Sequence, residues 1–153
     1  MQESSTKQLT GSVGTLQDDW LELVESDMRM IADHSFAGTE VGEVLEDAVA
    51  SRGKRIRPRL LLISAAFGPE WESRKERLCL LAAMVELTHM ASLIHDDIVD
   101  EAPMRRGAAS IQGKYGKDAA VFAGDFLMAR INWFQSREHL NEAGEMLSKR
   151  WNI

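Results

Sequence analysis

The sequence predicts an all-α helix bundle, and three observations carry that prediction. Proline and glycine number only 3 and 11 among 153 residues, so long segments are free of helix breakers. Apolar residues recur at three- and four-residue spacing along several segments, the stripe by which a helix faces a core. No segment shows strand-like alternation of useful length, and no unit of sequence repeats.

Taken in order, residues 1–14 (MQESSTKQLTGSVG) are polar and rich in Gly, Ser and Thr, the composition of a frayed tail; residues 15–153 read as one helical domain. Thr15 and Asp18 resemble a capping box, and Leu16, Trp20, Leu23, Val24, Met28 and Ile31 follow at helical spacing. A short second helix is marked by Val41, Val44, Leu45, Ala48 and Val49. Pro58, at the end of the basic loop SRGKRIRP, suits a first helical turn. The run RLLLISAAF that follows is apolar on nearly every side, which predicts an interior helix closed by Gly68 and Pro69. The longest pattern extends from about Glu76 to Val99 without Gly or Pro; Pro103 and Gly107 mark the loop after it. A further helix is predicted from about Asp118 to Phe134, and a last amphipathic stretch from Glu138 to Trp151 carries Leu140, Met146 and Leu147.

Composition narrows the function classes. A hydrophobic share of 44% places the chain among globular proteins, and its length suits one core rather than two. A net charge of −6 argues against a general nucleic-acid binder, although a local basic cluster can still meet an anionic substrate. The single cysteine, Cys79, lies in the apolar run LCLLAAM and reads as a small buried hydrophobe; one thiol cannot form an internal disulfide. The N-terminus lacks the basic-then-apolar order of a signal peptide, and charges break each apolar run, so the expectation is a cytoplasmic protein without a membrane span.

The chemistry concentrates in HDDIVDEAPMRRG. At about 100° per residue, Asp96 and Asp100 share a helix face and Asp97 lies one step around it. Clustered carboxylates repel one another and sit badly at the negative end of a helix. A magnesium ion would offset that cost, because it prefers oxygen ligands and bridges carboxylates to phosphate oxygens. Three acids near a helix end are ordinarily a solvated surface, but the apolar VELTHMASLI before them places this set at the mouth of a core. His89 lies two turns below Asp96 on the same stripe; such a histidine is as readily a core residue as a ligand. Lys54 and Arg57, three apart in GKRIRP, can face one point where a helix begins, and exposed amides there favour anions. Arg105 and Arg106 add guanidinium groups suited to paired hydrogen bonds with phosphate.

GKRIRP, VELTHMASLIHDDIVDEAPMRRG and GKYGKDAAVFAGDFLMAR together resemble the trans-isoprenyl diphosphate synthases, or polyprenyl synthetases, in order and spacing over residues 40–130. The Lys/Arg pair and RRG separate this pattern from class I terpene cyclases, which also carry DDxxD. The resemblance implies an isoprenoid-synthase-type helix bundle and the condensation of isopentenyl diphosphate with an allylic diphosphate. It places magnesium on Asp96, Asp97 and Asp100 as the catalytic acids, the allylic diphosphate on Arg105, and the isopentenyl diphosphate on Lys54, Arg57, His89 and Arg106. It puts Ala91 and Ser92 at the floor of the chain-elongation tunnel; both are small, which implies a medium- or long-chain product. Met84, Met90 and Met128 lie near that path, where ordinary core packing is the simpler use of each.

Two departures stand out. Ala109 occupies the position where the family usually has proline after RRG, and no second DDxxD follows Arg130. The chain therefore reads as the N-terminal portion of such an enzyme, with weak turnover expected of it alone. It would act as a homodimer or as a heteromer with a C-terminal portion or second subunit. The alternative is a non-catalytic partner subunit or fragment of a heteromeric synthase; the intact acids count against it.

Overall fold

The computed structural model describes residues 19–32, 36–50 and 53–138. Within them the chain forms six α-helices: α1 (residues 19–32), α2 (Glu40–Ala50), α3 (Ile56–Ala65), α4 (Lys75–Val99), α5 (Ile111–Tyr115) and α6 (Lys117–Arg137). A single 3-10 turn (Glu72–Arg74) leads into α4, and a two-stranded hairpin, β1 (Met104–Arg105) with β2 (Ala108–Ala109), separates α4 from α5. The expected tail, the Thr15–Asp18 capping box and the Glu138–Trp151 stretch lie outside the described residues, apart from Glu138 itself.

The centre of the bundle is α4 packed on α6, with α3 against α4 and α2 against α6. Helical spacing explains which side chains meet. Cys79, Ala83, Leu87, Met90, Ile94 and Asp97 fall on one inward stripe of α4, and Ala120, Ala123, Leu127, Ile131 and Phe134 on that of α6. Trp20, Val24, Met28 and Ile31 bring α1 into the same core, and its Trp20 ring packs against Trp71 in a tilted pair, centroids 4.9 Å apart. Each fully buried aliphatic side chain here stabilises the fold by about 1.5–3 kcal/mol.

Three expectations need correction. The run RLLLISAAF is not interior: α3 buries only Pro58 and Leu62, and Ile56, Leu60, Ile63 and Phe67 are exposed, Phe67 at 90%. Pro58 and Leu62 turn inward and α3 packs on α4, so an all-round apolar sequence ends with one buried face. The stretch Glu72–Val99 is also long and apolar enough to cross a membrane by length and composition alone. Between Arg77 and Asp96 only Glu86, His89 and His95 interrupt it with acidic or basic side chains, and here half of its most apolar window is buried inside the bundle. Third, two short strands exist where none was expected, because a two-residue ladder is too short to show alternation.

That hairpin is what positions the second basic set. Arg106 and Gly107 both have positive φ, 51° and 84°, the backbone of a two-residue type I′ turn. The end of α4 is closed by a Schellman arrangement: Glu101 is left-handed at φ 51°, its N–H donates to Ile98 O, and Ala102 N–H donates to Asp97 O at 2.9 Å. The Gln112 side-chain amide also donates to the Asp97 and Ala102 carbonyls. Ser110 caps α5 by accepting from Gly113 N–H at 3.0 Å while donating to Ala102 O at 2.7 Å. Gly113 is needed there: a Cβ would sit 2.1 Å from the Pro103 carbonyl oxygen. Gly113→Ala is therefore expected to cost about 1–3 kcal/mol, read as a lower midpoint in thermal denaturation.

Candidate functional site

The last two turns of α4 sort the three aspartates by environment. Asp96 and Asp100, one turn apart, are exposed on the open face of the helix, with Ser92 one turn below on the same stripe. Asp97 faces inward and is 5% exposed. Its two carboxylate oxygens accept from Arg105 Nε at 2.8 Å each, and Arg105 Nη2 lies 2.7 Å from Oδ1. The hydrogen bonds that Arg105 donates to Asp97 raise its pKa above the ordinary value, and the charges of Asp97, Asp96 and Asp100 add to this against the opposing effect of burial. So Asp97, expected as a metal ligand, has a different partner in this arrangement: it holds Arg105 beside the other two acids.

Among the described residues, no three His, Cys, Asp or Glu side chains are grouped to hold a metal ion by themselves. Magnesium keeps several waters and is commonly held by one or two carboxylates plus substrate phosphates. Asp96 and Asp100 are two exposed carboxylates of that chemistry.

His89 feels the charge of three of the basic residues. Its side chain is half-buried on α4, seven residues before Asp96. Burial lowers its pKa, and Arg57, Arg106 and Arg105 push it the same way against the opposing pull of Glu86. His89 therefore lies within electrostatic reach of Arg57 at the start of α3 and of Arg105 and Arg106 in the hairpin. Lys54, Arg57 and Arg106 are exposed. Because folding lowers the His89 pKa, the unfolded chain takes up the proton more readily. The histidine's contribution to stability is thus lost as pH falls from the ordinary imidazole range near 6.5 through the lowered value. A bound diphosphate would reverse the field. NMR titration of His89 should give a midpoint below 6.5 in the free protein and a higher one when pyrophosphate is present.

The two expected tunnel residues do not share a face. Ser92 is exposed and donates to His89 O at 2.8 Å, whereas Ala91 is fully buried in the core, because adjacent helical residues point about 100° apart. Met84 and Met90 are core residues, and Met128 is 39% exposed. Sequence reasoning missed three participants: Arg55, read as one more loop cation but buried; its partner Glu86; and Gln112, which binds the end of α4. A carboxylate within the otherwise apolar run LLAAMVELTHM was the available signal for Glu86.

Residues 39–151 match the model of the polyprenyl synthetase family, about three-quarters of the chain. The chain belongs to the polyprenyl synthetase family. A relative in it, heptaprenyl diphosphate synthase component 2 of Geobacillus stearothermophilus, is 37% identical over 129 residues, covering 84% of this chain and 37% of that protein. Solanesyl diphosphate synthase 1, chloroplastic, of Arabidopsis thaliana is 34% identical over 136 residues, covering 84% and 34%. Among solved structures, the heptaprenyl diphosphate synthase of Staphylococcus aureus superposes with a TM-score of 0.72 at 28% identity, covering 86% of this chain and 41% of that one. The geranyltranstransferase of Thermotoga maritima gives 0.60 at 36% identity, covering 81% and 48%. The chain thus spans about 35–50% of the length of these family members. The all-helical bundle is the family's fold, and the expected kinship stands.

Proposed function

We propose that this chain supplies the first diphosphate-binding and metal-binding half of a trans-polyprenyl diphosphate synthase, which joins isopentenyl diphosphate to an allylic diphosphate. The observation that carries the reading is the Arg105–Asp97 pairing, Nη2 to Oδ1 at 2.7 Å, which holds a guanidinium of the hairpin at the end of the helix that carries Asp96 and Asp100.

Asp96 and Asp100 would hold magnesium. When bound, magnesium stabilises negative charge on the departing diphosphate as a Lewis acid. Arg105, kept in place by Asp97, offers its guanidinium to the allylic diphosphate from beside the two acids. Lys54, Arg57, His89 and Arg106 hold the diphosphate of isopentenyl diphosphate, the imidazole gaining its proton as the anion arrives. The allylic carbon–oxygen bond breaks, with its electron pair leaving on the diphosphate. The double bond of isopentenyl diphosphate then attacks the allylic carbon, and loss of a proton completes the new alkene. Cations already aimed at the leaving group need no rearrangement as its charge develops.

Relatives named for heptaprenyl, solanesyl and nonaprenyl products favour a medium- or long-chain product, and the small Ser92 one turn below Asp96 leaves space for one. The name component 2 favours assembly with a second subunit. The exposed Ile56, Leu60 and Phe67 of the α3 region are surface such an assembly would cover. The test is a condensation assay with labelled isopentenyl diphosphate and an allylic primer. Brisk polyprenyl product is expected when the chain is combined with the remainder of a synthase, and little from the chain alone. No product in any such combination, with both parts folded, would refute the reading.

A further inference from the structure

Arg55 sits between the two basic residues of GKRIRP, Lys54 and Arg57, yet it is 8% exposed where Lys54 and Arg57 are open to solvent. A guanidinium is withdrawn from water only where carboxylates and acceptors replace its hydration. Here Nε donates to Glu25 Oε1 at 2.6 Å and Nη2 to Glu25 Oε2 at 3.3 Å, a two-pronged bond to α1. Nη1 lies 3.5 Å from Glu86 Oε1 on α4, and Nη2 donates to the Val49 carbonyl near the end of α2 at 3.5 Å. One side chain thus ties three helices together.

Its backbone is equally constrained. Arg55 is left-handed at φ 47°, ψ 44°, a conformation that is unfavourable for a non-glycine residue and persists where surrounding contacts hold it. The same residue is the N-cap of α3, and its carbonyl accepts the first helical bond from Arg59 N–H at 3.0 Å. The kink therefore sets where α3 begins and how Lys54 and Arg57 leave the core. Glu86 lies one turn before His89 on α4, so the anchor and the histidine share one rigid element. Its other oxygen, Oε2, is buried without a hydrogen-bond partner among the described residues, an arrangement that stability alone does not favour.

We infer that Arg55 is a positioning residue: clamped by Glu25 and Glu86, it fixes the basic loop on α4 so that Lys54 and Arg57 address the same diphosphate as His89. This rests on the diphosphate-binding role proposed above for those three residues. A buried ion cluster kept only for stability would be replaceable by apolar side chains of similar size without loss of binding.

The experiment compares the full chain with R55K, with the triple variant Arg55→Met, Glu25→Gln, Glu86→Leu, and with K54Q and R57Q. Each is tested for a cooperative melt, for amide hydrogen exchange at residues 53–57, and for calorimetric affinity for magnesium pyrophosphate. R55K and the triple variant are expected to melt cooperatively, exchange faster in the loop, and bind pyrophosphate about tenfold more weakly. K54Q and R57Q are expected to weaken binding while leaving loop exchange unchanged. Wild-type affinity in folded R55K or in the folded triple variant would overturn the inference. If the unaltered chain binds no pyrophosphate, the diphosphate reading fails and the inference with it. Wild-type loop exchange in R55K would overturn the anchor alone, so the two failures are distinguishable.

Discussion

Replacing Asp96 and Asp100 together by alanine is expected to lower magnesium-dependent affinity for pyrophosphate at least ~100-fold, with no loss of stability. Both side chains are exposed, so their removal opens no cavity and orphans no buried group. Their mutual repulsion at the negative end of α4 also disappears, which makes a small rise in Tm the expected direction. Calorimetry with and without magnesium, beside a thermal melt, separates the two effects. A double variant that binds as tightly as the unaltered chain would remove these residues from the site.

Asp97→Ala is expected to act in the opposite way, on the fold first. Its carboxylate is 5% exposed and carries the paired contacts to Arg105. Breaking a fully buried pair by truncating one partner costs about 3–5 kcal/mol. The Arg105 side chain is 32% exposed, so water can recover part of its solvation, and about 2 kcal/mol is the fitting magnitude. The hairpin that carries Arg105 and Arg106 then loses its tie to α4, and pyrophosphate affinity should fall by about tenfold. Asp97→Asn retains the shape and one acceptor and should fall between the two. Denaturant melts and calorimetry on both variants read this; unchanged stability in Asp97→Ala would show that the Arg105 contact does not hold the hairpin.

Helix positions were legible because the apolar stripes of α1, α2, α4 and α6 are long and uninterrupted. Glu76–Val99 was expected where Lys75–Val99 is found, and Asp118–Phe134 where Lys117–Arg137 is found. α3 was misread because an apolar sequence states what a helix can bury, not which neighbour is present to bury it; Leu60 and Ile63 stay exposed. At the site, the helical period correctly separated Asp97 from Asp96 and Asp100, but not what each would contact. Asp97 meets Arg105 across a turn whose course depends on left-handed Glu101 and Arg106, conformations that non-glycine residues do not announce. Arg55 was grouped with its neighbours for the same reason: charge type is read from sequence, whereas the direction of a loop side chain follows from tertiary packing.

The most direct test of the account uses manganese in place of magnesium, added with pyrophosphate while NMR signals of the chain are followed. Paramagnetic broadening is expected to be strongest at the end of α4 and the hairpin, around Asp96, Asp100 and Arg105, and to vanish when Asp96 and Asp100 are replaced by alanine. Broadening that appears elsewhere, or that survives the loss of both carboxylates, would contradict it.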